Sequence, residues 1–416
     1  PADIAVLDAA GLDIFPGFVD AHTHIGLDGY GIGYEGYDYN EMNDIWTPQL
    51  RAIDGINPRD PSFAHAREAG ITCVCTGPGS ANVLGGTFTA IKTAGTRIDD
   101  MIVKKEAAMK CAFGENPKGC YGQGKKQSPM TRMAVAGLLR ELLMRTIRYR
   151  DDKAAGKNPP LDVKLEAMLP VVNREIPIKG HAHRADDILT AVRIAREFDL
   201  KLTLDHCTDG EIIADELAEE GYPVFVGPSL GGKSKVELRN KSFTTAGVLY
   251  RAGLTVSIIT DAPVIPLQHL PLAAGLAAAA GLPMEEAWRA ITINPAQSLG
   301  ISDRVGSLEP GKDADLVLWT ADPLTTIGGV GIAAPQIGVF KRVIVLDVSQ
   351  GLNNPDAPQE FVPLINPVVT VLDPAPHEEN EGCLSVPDFR AKVKRPRRVA
   401  LDALDLDGKP VHLEGE

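Results

Sequence analysis

Eight short β-forming runs between Ile14 and Asp322, interleaved with stretches of helical spacing, constrain this chain more than any single residue does. They are Phe18–His24, Ile71–Thr76, Phe88–Thr93, Ala108–Phe113, Ile176–His183, Lys201–His206, Pro223–Val226 and Thr255–Thr260. Strands that alternate with helices return most readily as parallel neighbours, with the helices covering the sheet. Ala185–Phe198 and Gly210–Glu220 repeat apolar residues at three- and four-residue spacing, as outer helices packed on strands do. Ala273–Ala280 is an Ala-rich helical stretch that propensity alone explains. The expected class is α/β, with the eight strands closed into a (β/α)8 barrel. Beyond Asp315 the pattern changes: Asp322-Pro323 marks a break, and Gly328-Gly329-Val330-Gly331 opens a proline-rich segment of antiparallel-looking strands. Two domains are expected, 1–326 and 327–416.

The 416 residues are 44% hydrophobic and 5% aromatic, which suffices for a large core. A net charge of −13 argues against a nucleic-acid surface, because phosphate binding draws on clustered Lys and Arg. The one basic run, from Lys392 to Arg398, is short and broken by proline, and reads as a solvated face. No apolar run reaches the roughly 18 to 20 residues that span a bilayer. The opening Pro1-Ala2-Asp3 lacks the basic and apolar regions of a signal peptide, and a chain that opens on Pro rather than Met is expected to start inside a longer protein. The six cysteines show neither a disulfide framework nor a CxxC zinc spacing. A cytoplasmic location is expected, with no membrane or nucleic-acid partner and with a homo-oligomer left open.

In a parallel barrel, side chains at the C-terminal strand ends converge on one mouth. His22 and His24 are two residues apart on a strand and so face the same side, where both imidazoles can reach one ion. His181 and His183 repeat that geometry, and His206 closes Lys201–His206. Any one of these alone reads as a core histidine bonded to backbone, whereas five at strand exits point to a metal site. Asp261, after Thr255–Thr260, supplies a carboxylate that can touch a metal and take a proton from water. A helix-capping role for it is made less natural by Pro263. His65 and His269 read as surface or packing histidines.

At this point the residues resemble the amidohydrolase superfamily, in particular its imidazolonepropionase-like and prolidase-like members, over about 3–322. The resemblance rests on Pro16-Gly17-Phe18-Val19-Asp20-Ala21-His22-Thr23-His24, on His181, His206 and Asp261, and on Asn294-Pro295-Ala296 followed by the run from Gly306 to Leu316. It implies a TIM barrel of the amidohydrolase type holding one or two divalent ions, zinc first and iron, manganese or nickel as alternatives. It further implies that His22, His24 and Asp261 hold one ion, that His181 and His206 hold a second or orient substrate, and that Asp261 is the general base beside His206. Binuclear members also need a bridging carboxylated lysine or glutamate. Lys110 resembles the lysine position, while Glu115 sits nearer the strand exit and is already anionic; reach favours Glu115. A lysine forms a carbamate only where its amine is neutral and shielded. His183 lies on the same face as His181 and is expected, with Arg184, near the substrate. A bound divalent ion lowers the pKa of its water towards about 7 and polarises a carbonyl. Hydrolysis of a C–N bond in a small amide or cyclic amide is therefore expected, with Gly26–Asn57 and Gly114–Gln127 forming the rim. A catalytically inactive, metal-binding barrel is the competing expectation.

Gly227-Pro228-Ser229-Leu230-Gly231-Gly232-Lys233-Ser234 fits a phosphate-binding loop and follows a strand. The helix that should begin at its Lys-Ser pair is poorly supported, because Lys235–Lys241 is mostly charged. The segment reads instead as the loop after the seventh strand, where Lys233 or Arg239 could meet an anionic group of the substrate.

Gly329-Val330-Gly331-Ile332-Ala333-Ala334-Pro335-Gln336 and Glu381-Gly382-Cys383-Leu384-Ser385 resemble two of the three motifs of peptide deformylases, over about 328–416. The resemblance implies metal binding by Cys383 and carbonyl polarisation by Gln336, both vestigial here because no His-Glu-x-x-His helix accompanies them. The amidohydrolase-like part also lacks most of the flanking strands of its family. The chain is expected to join parts of two proteins near 325–328, and deformylation is the weakest of the functional expectations.

Overall fold

The strands of the first part are, in chain order, β1 (Asp13–Pro16), β2 (Phe18–Thr23), β3 (Ile71–Thr76), β4 (Leu84–Lys92), β5 (Ile102–Ala112), β6 (Ile178–Ala182), β7 (Leu202–His206), β8 (Val224–Val226), β9 (Val256–Ile258) and β10 (Leu316–Trp319). The structure is a computed structural model that describes residues 9–28, 33–325, 331–333, 343–347, 361–383, 386–405 and 407–415. The chain divides into two units, the first made of Pro1–Ser229 and Lys233–Thr326 and the second of Leu230–Gly232 and Ile327–Glu416.

Strands β2 to β9 form one eight-stranded sheet in sequence order, and each expected run supplies one of them. The sheet nearly closes where β2 and β9 leave it. The Asp261 N–H donates to the His22 carbonyl at 3.2 Å, and the His24 N–H donates to the Ala262 carbonyl at 2.7 Å. The buried Asp20 carboxylate bolts the same seam, accepting the His22 N–H at 3.0 Å, the Thr260 N–H at 3.0 Å and the Thr260 hydroxyl at 2.6 Å.

One expectation needs correction. The barrel is mixed, not wholly parallel, because β4 runs antiparallel to both β3 and β5. The links 77–83 and 93–101 fall short of the dozen or so residues that a crossover between parallel strands requires. The chain therefore turns back on itself at these two places. Elsewhere the pairing is parallel, from β2 to β3 and from β5 through β9.

Val19, Ala21, Cys73, Cys75, Phe88, Ala90, Ala108 and Phe225 belong to one buried apolar cluster with Ala296, Leu299, Ile301 and Val305. The helices Ala185–Glu197 and Ala214–Glu220 follow the expected segments. The longest helix, Arg132–Ala154, begins where the Thr131 side chain accepts the Ala134 N–H, and it buries Val135, Leu139, Leu142, Leu143 and Thr146 along one side. After β8 the chain carries no helix at Lys233-Ser234, only a 3₁₀ turn over Val236–Leu238, so the phosphate-loop geometry is absent. Gly227 opens that loop at φ +145°, where an added Cβ would lie 2.1 Å from the Ile259 carbonyl oxygen. Only glycine fits so close an approach. Strands β1 and β10 pair antiparallel as a separate two-stranded sheet. Among the described residues, no helix is long and apolar enough to cross a membrane.

The second unit is a five-stranded antiparallel sheet of β11 (Gly331–Ala333), β12 (Val343–Asp347), β13 (Phe361–Cys383), β14 (Val386–Leu404) and β15 (Pro410–Gly415), in sequence order. Register shifts interrupt the β13–β14 ladder near Pro367, Pro374 and Pro376, where proline has no N–H to donate. Gln336 lies outside the described residues. Of Cys383 only the backbone is described, paired with Val386.

Asp20→Ala leaves three buried donors at the barrel seam without their acceptor, each costing about 1–3 kcal/mol. We expect a loss of at least about 2 kcal/mol in urea denaturation; an unchanged midpoint would show that the seam does not depend on this carboxylate.

Candidate metal centre

The mouth of the barrel is built by strand parity and by a break in that parity. Asp20, His22 and His24 alternate onto one face of β2 and its exit. Lys179 and His181 do the same on β6, and Thr203 and Asp205 on β7. His206 follows Asp205 directly and would point the other way in a regular strand. Its φ of +73°, followed by +49° at Cys207, ends the strand in the left-handed region. The ring centroid thereby lies 5.0 Å from that of His22, 4.3 Å from His181 and 4.7 Å from His183. Asp261 also takes positive φ, +55°, just beyond β9.

The imidazoles are aimed by what their Nδ1 atoms bind. His22 Nδ1 donates to Asp205 Oδ2 at 2.7 Å, His24 Nδ1 to the Gly77 carbonyl at 2.7 Å, and His206 Nδ1 to the Gly227 carbonyl at 2.8 Å. These partners only accept, so the proton lies on Nδ1, and Nε2 carries a lone pair in the neutral ring. Burial, aided by neighbouring cations, holds His22, His181 and His183 well below the usual histidine range. Burial also takes His206 down to about 4. These four rings are neutral at ordinary pH.

The Nε2 atoms of His22 and His24 then face a carboxylate. His24 Nε2 lies 3.2 Å and His22 Nε2 3.4 Å from Asp261 Oδ1, while the buried His206 Nε2 has no hydrogen-bond partner. Lone pairs facing an anion repel unless a cation stands among them, and Lys110 Nζ, 3.3 Å from His22 Nε2, meets only one of them. The described residues contain two donor groups whose atoms lie within 4.8 Å of one another, His22–His206–Asp261 and His181–His183–His206, which share His206. Nitrogen and carboxylate donors of this kind suit a divalent ion such as zinc. The donor sets therefore fit a metal.

Lys110 and Glu115 are placed very differently. Lys110 is fully buried, with Nζ 3.3 Å from His22 Nε2. Burial pushes its amine down to about 8, against the pull of Asp205 and Asp261. Glu115 belongs to neither donor group; its carboxylate lies 3.9 Å from Lys235. Gly114, at φ +82°, turns the chain as it leaves β5, so nearness along the sequence does not bring Glu115 to the histidines. His183 joins His181 in one donor group, and its Nδ1 meets the Thr208 hydroxyl at 2.8 Å.

A cavity of about 720 Å³ opens over these residues, walled by His24, Asp28, Tyr39, Ser80, Glu115, Asn116, His181, His183, Lys235 and Asp261 among others. Three residues expected near substrate are not on its wall. Arg184 is half-buried and forks onto Asp186, Lys233 donates to the Arg239 carbonyl at 2.7 Å, and Arg239 is exposed. Lys235 takes the place foreseen for them. Sequence reasoning also missed Asp205, which accepts from Lys179 Nζ at 3.2 Å as well as from His22. Its signal was a polar residue inside an apolar run, one position before a candidate ligand.

Comparison with known proteins adds to this geometry. Residues 14–344 match the amidohydrolase family, and residues 303–416 match the polypeptide deformylase family, so the two matches overlap over 303–344. A crystal structure of an amidohydrolase from Thermotoga maritima MSB8 superposes with a TM-score of 0.75 at 43% identity, covering 78% of this chain and 86% of that one. Amidohydrolase tasK of Hapsidospora irregularis is 30% identical over 368 residues, 82% of this chain and 37% of its own length. A peptide deformylase of Acetivibrio thermocellus is 42% identical over 96 residues, 23% of this chain and 51% of its own length. The chain thus spans between a third and about half of these two curated relatives. By its match over 14–344 the chain belongs to the amidohydrolase family, and it carries a peptide deformylase region at its C-terminal end.

Proposed function

We propose that the barrel hydrolyses the C–N bond of a small amide or cyclic amide with one or two divalent ions, zinc first among them, held by His22, His24, His206 and Asp261 and by His181 and His183. The observation that carries this reading is the meeting of two donor groups, His22–His206–Asp261 and His181–His183–His206, at a buried His206 Nε2 that has no hydrogen-bond partner. A divalent ion bound there lowers the pKa of its water towards about 7 and polarises the carbonyl of the substrate.

The chain's own groups do the remaining work. Asp261 is the base, with its Oδ1 3.2 Å from His24 Nε2 and 3.4 Å from His22 Nε2. It takes the proton of the attacking water and returns it to the leaving nitrogen as the C–O bond forms and the C–N bond breaks. Asp205 and the Gly77 and Gly227 carbonyls keep the ring protons on Nδ1. Lys110, with its buried amine beside His22, is better placed than Glu115 to supply a bridging carbamate. The five described cysteines are free thiols, which supports a reducing compartment such as the cytoplasm.

With the zinc-loaded protein and a panel of N-acyl amino acids and cyclic amides, Asp261→Asn should lower kcat by about 10²–10⁴-fold. His22→Ala should abolish turnover, and both variants should keep the far-UV circular dichroism of the parent. Retained turnover in either would sink the assignment. Asp205→Asn should weaken zinc affinity by about 10–100-fold in a chelator competition, the usual effect of losing the carboxylate behind a ligand histidine; unchanged affinity would remove Asp205 from the site.

A further inference from the structure

Glu237 is a nearly fully buried carboxylate, 2% exposed, that belongs to neither donor group. Its Oε1 accepts the Glu115 N–H at 2.7 Å and Arg132 Nη2 at 2.7 Å, and Arg132 is in turn held by Asp187 at 2.9 and 3.0 Å. A Cβ at Gly114 would lie 2.6 Å from that same oxygen, so the loop after β5 approaches Glu237 as only glycine permits. One carboxylate thereby ties together the loop after β5, the start of the helix Arg132–Ala154 and the loop after β8. Buried ion pairs contribute little net stability once desolvation is counted, so their worth lies in fixing geometry.

What this geometry fixes is Lys235, two residues before Glu237 and on the cavity wall, with its side chain 25% exposed. An ammonium has three N–H donors. One goes to Asn116 Oδ1 at 2.9 Å, while the nearest oxygens of Glu115 and Glu237 stand at 3.9 and 4.0 Å, outside hydrogen-bond range. These carboxylates balance the charge and leave two donors for a ligand. The Asn116 amide is fixed by the same contact, because its oxygen must face the ammonium. Its Nδ2 therefore donates to Ser80 Oγ at 2.7 Å and lies 3.3 Å from His181 Nε2. Ser80, accepting that bond, keeps its own O–H proton for the cavity. Lys235 and Ser80 thus flank Asn116 as donors beside the second histidine group.

We infer that Lys235, held by the Glu237–Arg132 pair, is a specificity-determining residue that binds an oxyanionic group, carboxylate or phosphate, on the substrate. This rests on the hydrolase reading for calling the ligand a substrate, but its test needs no turnover. Isothermal titration of the zinc-loaded protein with N-acetylglycine, N-acetylethanolamine phosphate and neutral N-acetylglycinamide compares the two oxyanions with an uncharged amide. At least one anion should bind about tenfold or more tightly than N-acetylglycinamide, and the better of the two identifies the group. Lys235→Met should erase that preference without changing zinc content. Lys235→Arg, which keeps the charge, should retain a preference of the same sign where Lys235→Met loses it. Equal binding of all three probes, binding of none, or a preference that survives Lys235→Met would overturn the inference. Absence of hydrolysis across the amide panel with the anion preference intact would instead count against the hydrolase reading alone.

Discussion

The arrangement at the barrel mouth depends on where the imidazole protons go. His22, His24 and His206 each place Nδ1 against an acceptor that cannot donate, which turns each Nε2 to the interior. Burial keeps His22 and His206 neutral, and Asp261 closes the circle with a negative charge. Removing so many ionisable groups from water is costly unless each is paired or coordinated. Lys179 meets this demand at Asp205, and Asp20 meets it at the β2–β9 seam. The buried His206 Nε2 is left without a partner, and the two donor groups meet at that residue.

Much of this was legible in the sequence because strand parity and strand ends are local properties. Eight β-forming runs could be counted, and histidines two apart at their exits had to share a face. The direction of β4 was not legible from the run itself, since an apolar strand reads alike both ways; only the short links on either side of it carried that information. His206 was expected at the mouth for an incomplete reason. Its place at a strand end was visible, but the left-handed backbone that turns it inward beside Asp205 was not. Glu115 was favoured by reach along the chain, and Gly114 defeated that estimate by turning the loop towards Lys235. Lys233 and Arg239 were expected at the cavity for the same kind of reason, and the path of the loop after β8 puts Lys235 there instead.

The C-terminal region belongs to a separate physical problem. Its described strands form an antiparallel meander of five, and the described residues beyond Leu299 contain no helix. The two family matches overlap across 303–344, so the border between them is not a single residue. Both donor groups found among the described residues lie in the barrel. Gln336 and the Cys383 side chain fall outside the description, and any metal chemistry in that region has to be tested separately from the histidine centre.

The most direct test of the central claim is the metal content per chain of the intact protein, by elemental analysis after purification without chelators. The parent should carry one or two equivalents of a divalent metal, His22→Ala combined with His206→Ala should carry almost none, and Cys383→Ser should match the parent. A parent without metal, or one whose metal survives loss of the two histidines and disappears with Cys383→Ser, would contradict the account.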